Sequence, residues 1–320
     1  MQPDMLDWIN HYSSLRTPVF GRNVVATSQP LAAQAGLEMI SAGGNAVDAA
    51  LAAAIALTVV EPTMNGVGGD VFALVWDGQT LHGLNASGRS PATWHRGLFD
   101  GYSEMPISGW ESVTVPGAVS AWIELSRRLG VLPFAELFRP ALRYAREGFM
   151  VTPLIARTWL EAAERHHVFP SWVDTFMPGG RTPRCGEAFR NETLADTLQD
   201  IAETYGESFY RGRLARHIAS FARETGGLLT EDDLASHVAD WVEPLCGEFG
   251  GYTLHEIPPN SQGVAALIAL ALLRETDIAR YEPDSAESVK LQLRAMGLAQ
   301  QEVRSKVADP RYVEGGAEGL

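Results

Sequence analysis

The chain has little cysteine: Cys185 and Cys246 are the only two among 320 residues. Two thiols so far apart argue against both a disulfide framework and a cysteine metal site, and buried free thiols are expected. Basic residues are also scarce, with 25 Lys and Arg against 39 Asp and Glu, a net charge of −14. A field of that sign argues against binding nucleic acid or an anionic membrane surface and suits a small uncharged or zwitterionic ligand. Long apolar runs are missing too. The longest, Ala49 to Val60, is shorter than the roughly 20 residues that cross a bilayer. The opening Met1-Gln2-Pro3-Asp4-Met5-Leu6-Asp7-Trp8 has no basic stretch followed by an apolar one, so no secretory signal is expected and a cytoplasmic location is.

Ready-made cofactor sites are equally sparse. Gly66-x-Gly68 has Val71 where a dinucleotide motif needs its third glycine, and no loop ends in Gly-Lys-Ser/Thr. The adjacent His166 and His167 would point about 100° apart on a helix and cannot share a metal. They are expected as surface histidines beside the solvated Glu161, Glu164 and Arg165. Neither metal nor cofactor is expected.

What is present is a globular composition, 46% hydrophobic and 20% charged, enough to bury a large core. Residues 1–20 read as an arm and residues 21–320 as one domain. Val24-Val25-Ala26-Thr27 reads as a short strand. Leu31, Ala35 and Met39 fall at helical spacing until Gly43-Gly44 stops them. The next helix, Ala46 to Val60, is apolar nearly all round and must be covered on most sides, with Asp48 at the positive end of its dipole. Val71 to Trp76 and Thr80 to Leu84 form a hairpin around Asp77-Gly78, a type I′ signal. Helices are predicted from Pro116, over Pro133 to Arg146, and over Thr152 to His166. Pro170 to Arg184 reads as an exposed excursion. Thr230-Glu231-Asp232-Asp233 has the spacing of a capping box. Tyr252 to Ile257 reads as a strand and Gln262 to Leu273 as an apolar helix.

Asn65, Gly66, Gly68, Gly69 and Asp70 read as a tight bend between a buried helix and an inner strand, with Asn65 suited to left-handed geometry. The same bend could let backbone amides approach a ligand.

Several segments occur together: Gly43-Gly44-Asn45-Ala46-Val47-Asp48-Ala49-Ala50, Glu61 through Asp70, Thr114-Val115-Pro116-Gly117-Ala118-Val119, and Pro140 through Phe149. Phe209-Tyr210-Arg211-Gly212, Gly226 through Leu234, Glu243-Pro244-Leu245, and Ile257-Pro258-Pro259-Asn260-Ser261-Gln262-Gly263 follow. In this order they resemble the large-subunit portion of the gamma-glutamyltranspeptidase family. The resemblance implies an α+β fold: the four-layer αββα sandwich of the N-terminal nucleophile hydrolases, with antiparallel sheets, incomplete in this chain. It implies a precursor that cuts itself into two subunits, so that the small subunit from the same precursor is a partner. It also implies a threonine nucleophile that transfers an acyl group from a small-molecule amide such as glutathione. That threonine belongs to a motif downstream of the matched segments, and the last threonine here is Thr276. No catalytic residue is therefore expected in this chain, and the chain alone is expected to be inactive.

In the transpeptidases an arginine ahead of an Ala-Pro pair binds the glutamyl α-carboxylate. The matching segment here is Asn85-Ala86-Ser87-Gly88-Arg89-Ser90-Pro91, with Ser87 at the arginine position. Arg89, two residues on, falls on the same face of an extended strand and could clamp a carboxylate; the alternative is an arginine that closes a surface turn. Arg89, Ser87 and Asn85 are expected to line the acyl pocket, and Asn260, Ser261 and Gln262 to form a loop of its wall. The departure at Ser87 leaves open a non-glutamyl amide hydrolase of the cephalosporin acylase or oxamate amidohydrolase type, and a non-catalytic scaffold stands as the reading from another class.

Overall fold

In the computed structural model residues 19–309 are described. Most of the expected arm over residues 1–20 lies outside them. The helices are α1 (Pro30–Ser41), α2 (Ala46–Val60), α3 (Ala118–Leu129), α4 (Arg139–Glu147), α5 (Pro153–His166), α6 (Pro170–Phe176), α7 (Glu192–Glu203), α8 (Glu207–Arg211), α9 (Arg213–Glu224), α10 (Glu231–Ala235), α11 (Val264–Arg274) and α12 (Ala286–Lys306). The strands are β1 (Val71–Trp76), β2 (Leu81–Ala86), β3 (Phe149–Met150), β4 (Ala188–Phe189), β5 (Asp240–Val242), β6 (Leu245–Phe249) and β7 (Tyr252–Glu256). All pairings are antiparallel: β1-β2-β5 in one sheet, β3-β4 and β6-β7 as pairs. Helical layers against antiparallel sheets make the α+β class expected, and the small sheets are parts of a sandwich rather than two complete layers.

Helix α2 is central. Its apolar sides bury Leu51, Ile55 and Val59 against α1, α3 and α4. Its start is over-determined, because Asn45 and Asp48 form a reciprocal capping box. The fully buried Asp48 carboxylate accepts the Asn45 amide at 2.9 Å and also the amides of Val131 and Leu132. Asn45 Nδ2 donates to the Leu129 carbonyl at 2.6 Å. The expected capping box at Thr230 and Asp233 is likewise formed. A smaller apolar cluster joins α11 and α12 through Val264, Leu273, Ala299 and Val303, beside the β6-β7 hairpin.

Four expectations are corrected. Val24 to Thr27 is not a strand, because no strand among the described residues supplies a ladder; it borders a cleft of about 700 Å³ against the alanines of α2. The β1-β2 turn is not type I′, since only Gly78 has positive φ, at 100°. Asp77 flanks the turn instead, its Oδ1 accepting the amides of Gln79 and Thr80 at 2.8 Å. Residues 170–184 are only partly an excursion: α6 lays Trp172 and Phe176 against the core near Trp159. Both cysteines are exposed, Cys246 because it falls on the outward side of β6.

Strand β2 runs in register with β1 from Val71↔Ala86 to Trp76↔Leu81 and receives β5 through Asn85↔Asp240. Its Leu84 and Ala86 are buried in the core, whereas Phe72, Leu74 and Trp76 of β1 point outward at 43%, 39% and 63% exposure. Beyond Ala86 the chain presses against the segment that leads into α3. The Val115 amide donates to the Arg89 carbonyl at 2.9 Å, and the Gly117 and Ala118 amides donate to the Gly69 carbonyl at 3.0 and 2.8 Å. A methyl group on Gly88 would overlap the Val115 carbonyl, and one on Gly117 would overlap the Ala86 carbonyl. Backbones this close tolerate no Cβ at either position. Gly88→Ala and Gly117→Ala are each expected to destabilise by about 3 kcal/mol or more. Urea denaturation checks this, with Gly66→Ala, which meets no neighbour closer than 3.9 Å, as the mild control.

Candidate substrate cleft

The segment after β2, the end of β5 and the loop after β7 enclose a cleft of about 480 Å³ that Asn85, Ser87, Arg89, Ser90, Asp240 and Asn260 help to line. Three polar side chains form one cluster in it. Asn85 Nδ2 donates to Asn260 Oδ1 at 2.9 Å, Ser87 Oγ donates to Asn85 Oδ1 at 2.7 Å, and Asn260 Nδ2 donates to Ser87 Oγ at 2.9 Å. Residues 175 apart in sequence are thus locked together. Ser87 and Arg89 border the same cleft even though β2 ends at Ala86. The Arg89 side chain is exposed and donates no hydrogen bond among the described residues. A guanidinium held by its backbone alone, beside amide and hydroxyl groups, is suited to bind a carboxylate in two-pronged fashion.

Other expected site residues fall elsewhere. Ser261 and Gln262 do not line the cleft: Ser261 Oγ donates to the Ile257 carbonyl at 3.0 Å and accepts the Gly263 amide at 3.2 Å, and the Gln262 carbonyl accepts the Ala265 amide. They shape the entry to α11. Asn65, Gly66, Gly68 and Gly69 support the site from behind through the Gly69 carbonyl, and none of them has left-handed φ, Asn65 included. The bend is closed by the Gly69 amide donating to the Gly66 carbonyl at 3.1 Å. Asp70 is exposed as a residue, yet partial desolvation of its carboxyl group raises its pKa, an effect opposed by the Gly88 amide. Among the described residues no group of three or more His, Cys, Asp or Glu side chains converges to hold a metal.

Sequence reasoning missed the polar pillar beneath the cleft. Tyr210 donates its phenol proton to the Pro116 carbonyl at 2.8 Å and accepts the Ser120 amide at 3.0 Å. Ser120 Oγ donates to the Gly117 carbonyl at 2.7 Å and lies 2.9 Å from His237 Nε2. With the hydroxyl proton committed to Gly117, His237 supplies the Nε2 proton for that contact. The imidazole stacks on Tyr210, centroids 5.4 Å apart. Burial pushes the Tyr210 phenol up to about 12. Burial, and then the charge of Arg89, hold His237 below its ordinary value. Ser120 and Tyr210 lie in or next to segments read from the sequence, but nothing local marks His237.

The α+β frame is that of the N-terminal nucleophile hydrolase fold. Residues 32–319 match the model of gamma-glutamyltranspeptidase, and the chain belongs to that family. It is 34% identical over 296 residues to the glutathione hydrolase-like YwrD proenzyme of Bacillus subtilis, covering 92% of this chain and 56% of that protein. Its structure resembles cephalosporin acylase from Bacillus halodurans with a TM-score of 0.87 at 45% identity, covering 96% of this chain and 60% of that one. It resembles Helicobacter pylori gamma-glutamyltranspeptidase with a TM-score of 0.88 at 27% identity, covering 95% and 89%. The chain therefore spans little more than half the length of the curated relative.

Two outcomes test the pillar. Tyr210→Phe strands the buried Pro116 carbonyl and Ser120 amide and is expected to cost about 1 to 3 kcal/mol in urea denaturation. Because the folded pKa of His237 lies below its unfolded value of 6.5, the unfolded chain gains the proton first as pH falls. Stability carried by the neutral ring is present above that value and lost below it. The melting temperature should therefore drop from pH 7 to pH 5 more steeply in the native protein than in His237→Gln.

Proposed function

We propose that this chain is the acyl-binding portion of a gamma-glutamyltransferase or glutathione hydrolase-like amidohydrolase. The observation that carries the reading is the Arg89 guanidinium, unbonded among the described residues and beside the Asn85, Ser87 and Asn260 cluster, two residues beyond the position of the family's carboxylate-binding arginine. Arg89 grips the carboxylate of the acyl group, and the amide and hydroxyl groups orient its polar atoms. The attacking threonine comes from a segment following residue 320. It is freed when the precursor cuts itself, and that segment forms the small subunit packed on this chain. The threonine hydroxyl attacks the amide carbonyl, and the α-amino group of the same residue, with an unperturbed pKa of about 7.7 to 8.0, takes the proton. That proton passes to the leaving amine, and water or a second amine then releases the acyl group from its ester. The proenzyme status of the YwrD relative supports the processing step.

A second reading is favoured by two observations: Ser87 stands where the transpeptidases have arginine, and the cephalosporin acylase structure matches at 45% identity. Under it the same cleft accepts a non-glutamyl acyl group. Both readings are tested by Arg89→Ala in the intact protein with gamma-glutamyl anilide, oxamate and beta-lactam side-chain amides. Loss of a two-pronged charged contact should raise KM by about 10- to 100-fold for the carboxylate-bearing substrate, with a smaller change in kcat. Unchanged constants remove Arg89 from the site, and turnover confined to non-glutamyl amides selects the second reading.

A further inference from the structure

Arg89 and Ser90 border two spaces, not one. On one side lies the polar cleft just described. On the other, Pro91, Trp94, Val115, Asp233, Ser236 and His237 line a further lobe of about 370 Å³. Since the lobes share the same arginine and serine, a ligand gripped by Arg89 can extend into both.

The second lobe differs in chemistry from the first. Trp94 is half-buried, its ring set edge-on against Phe99 with centroids 5.2 Å apart, and its amide donates to the Pro91 carbonyl at 2.9 Å. The indole is thereby fixed against the loop that carries it. Pro91 and Val115 add buried apolar surface. Asp233 brings a carboxylate, but both its oxygens are occupied: Oδ1 by the Ala92 amide at 2.8 Å, Oδ2 by the Thr230 amide and hydroxyl at 2.9 and 2.7 Å. Ser236 Oγ is turned to the Asp233 carbonyl at 3.1 Å. His237 is held by Ser120 and stacked on Tyr210. What remains to meet a ligand is an indole, apolar walls, an anchored imidazole and the Arg89 cation at the mouth. A flat apolar ring next to an anionic group matches that set, because a fixed aromatic wall contacts a ring without losing rotamer freedom on binding. A small aliphatic ammonium finds no free acceptor of charge there.

We infer that the second lobe is an aryl subsite: it takes an aromatic or heteroaromatic ring borne by a substituent on the carbon next to the carboxylate that Arg89 grips. The inference rests on the reading of Arg89 as a carboxylate clamp and goes beyond it by naming what the acyl group carries on its far side. Trp94 is then a specificity-determining residue, and substrates with an aryl-bearing acyl group outcompete bare aliphatic ones of equal charge.

The test compares two carboxylates that differ in the ring alone, hippurate and N-acetylglycine, binding to the intact protein by isothermal titration calorimetry. Hippurate should bind about three- to tenfold more tightly, the range expected for one ring-on-ring contact. Trp94→Ala should bring that ratio close to one while leaving N-acetylglycine affinity unchanged, and Trp94→Phe should restore most of the preference. Arg89→Ala should weaken both probes together. Equal binding of the two probes, or a preference that survives Trp94→Ala, overturns the aryl subsite even if Arg89 still governs both affinities. If Arg89→Ala leaves both affinities as they were, or if neither probe binds, the carboxylate reading falls and the subsite falls with it.

Discussion

The site depends on two backbones lying closer than side chains permit. Where the chain leaves β2 it meets the approach to α3 carbonyl against Cα, at Gly88 over Val115 and at Gly117 over Ala86. The Val115 amide on the Arg89 carbonyl fixes the slide of one segment along the other, and the Gly69 carbonyl fixes the start of α3. Arg89 therefore needs no side-chain partner to be placed. Its position is inherited from the crossing, and among the described residues its guanidinium makes no hydrogen bond.

Beneath the crossing, burial has been put to a single use. Tyr210 answers the Pro116 carbonyl and the Ser120 amide, Ser120 Oγ adds a second bond to the Gly117 carbonyl, and His237 braces that hydroxyl. Each of these side chains is buried, so the arrangement is stiff and also intolerant: a polar group removed leaves another without water to replace it. The same burial keeps the imidazole neutral next to a cation, so Arg89 remains the dominant positive charge at the junction of the two lobes.

Local pattern was informative where local forces decide. The all-round apolar pattern of α2, the hairpin of β1 and β2, and the box at Thr230 and Asp233 all rest on contacts within a few residues. Asp48 was read only as a charge suited to a helix dipole; its larger role depends on amides at Val131 and Leu132, which periodicity cannot reveal. Val24 to Thr27 carries β-branched residues but has no strand to pair with among the described residues. The cleft is partly legible: Asn85, Ser87, Arg89 and Asn260 can be named from the sequence, whereas Asp240 joins them, and Trp94 and His237 line the neighbouring lobe, only through folding. The partnership of Ser120 with His237 spans 117 positions. Ser261 and Gln262 lie outside the cleft lining, in the turn into α11 that Ser261 Oγ and the Gln262 carbonyl help to close.

The cap on α2 has a consequence for biosynthesis. Asn45 waits for Leu129, 84 residues later, before its side-chain amide finds an acceptor. At translation rates of about 5 to 20 residues per second, roughly 4 to 17 s separate the two emerging from the ribosome. At the start of that interval this helix, apolar nearly all round, has α1 as its main nascent cover, and α4, which also packs on it, is made only after Leu129. A pause within that stretch would lengthen the time in which chaperones must shield it.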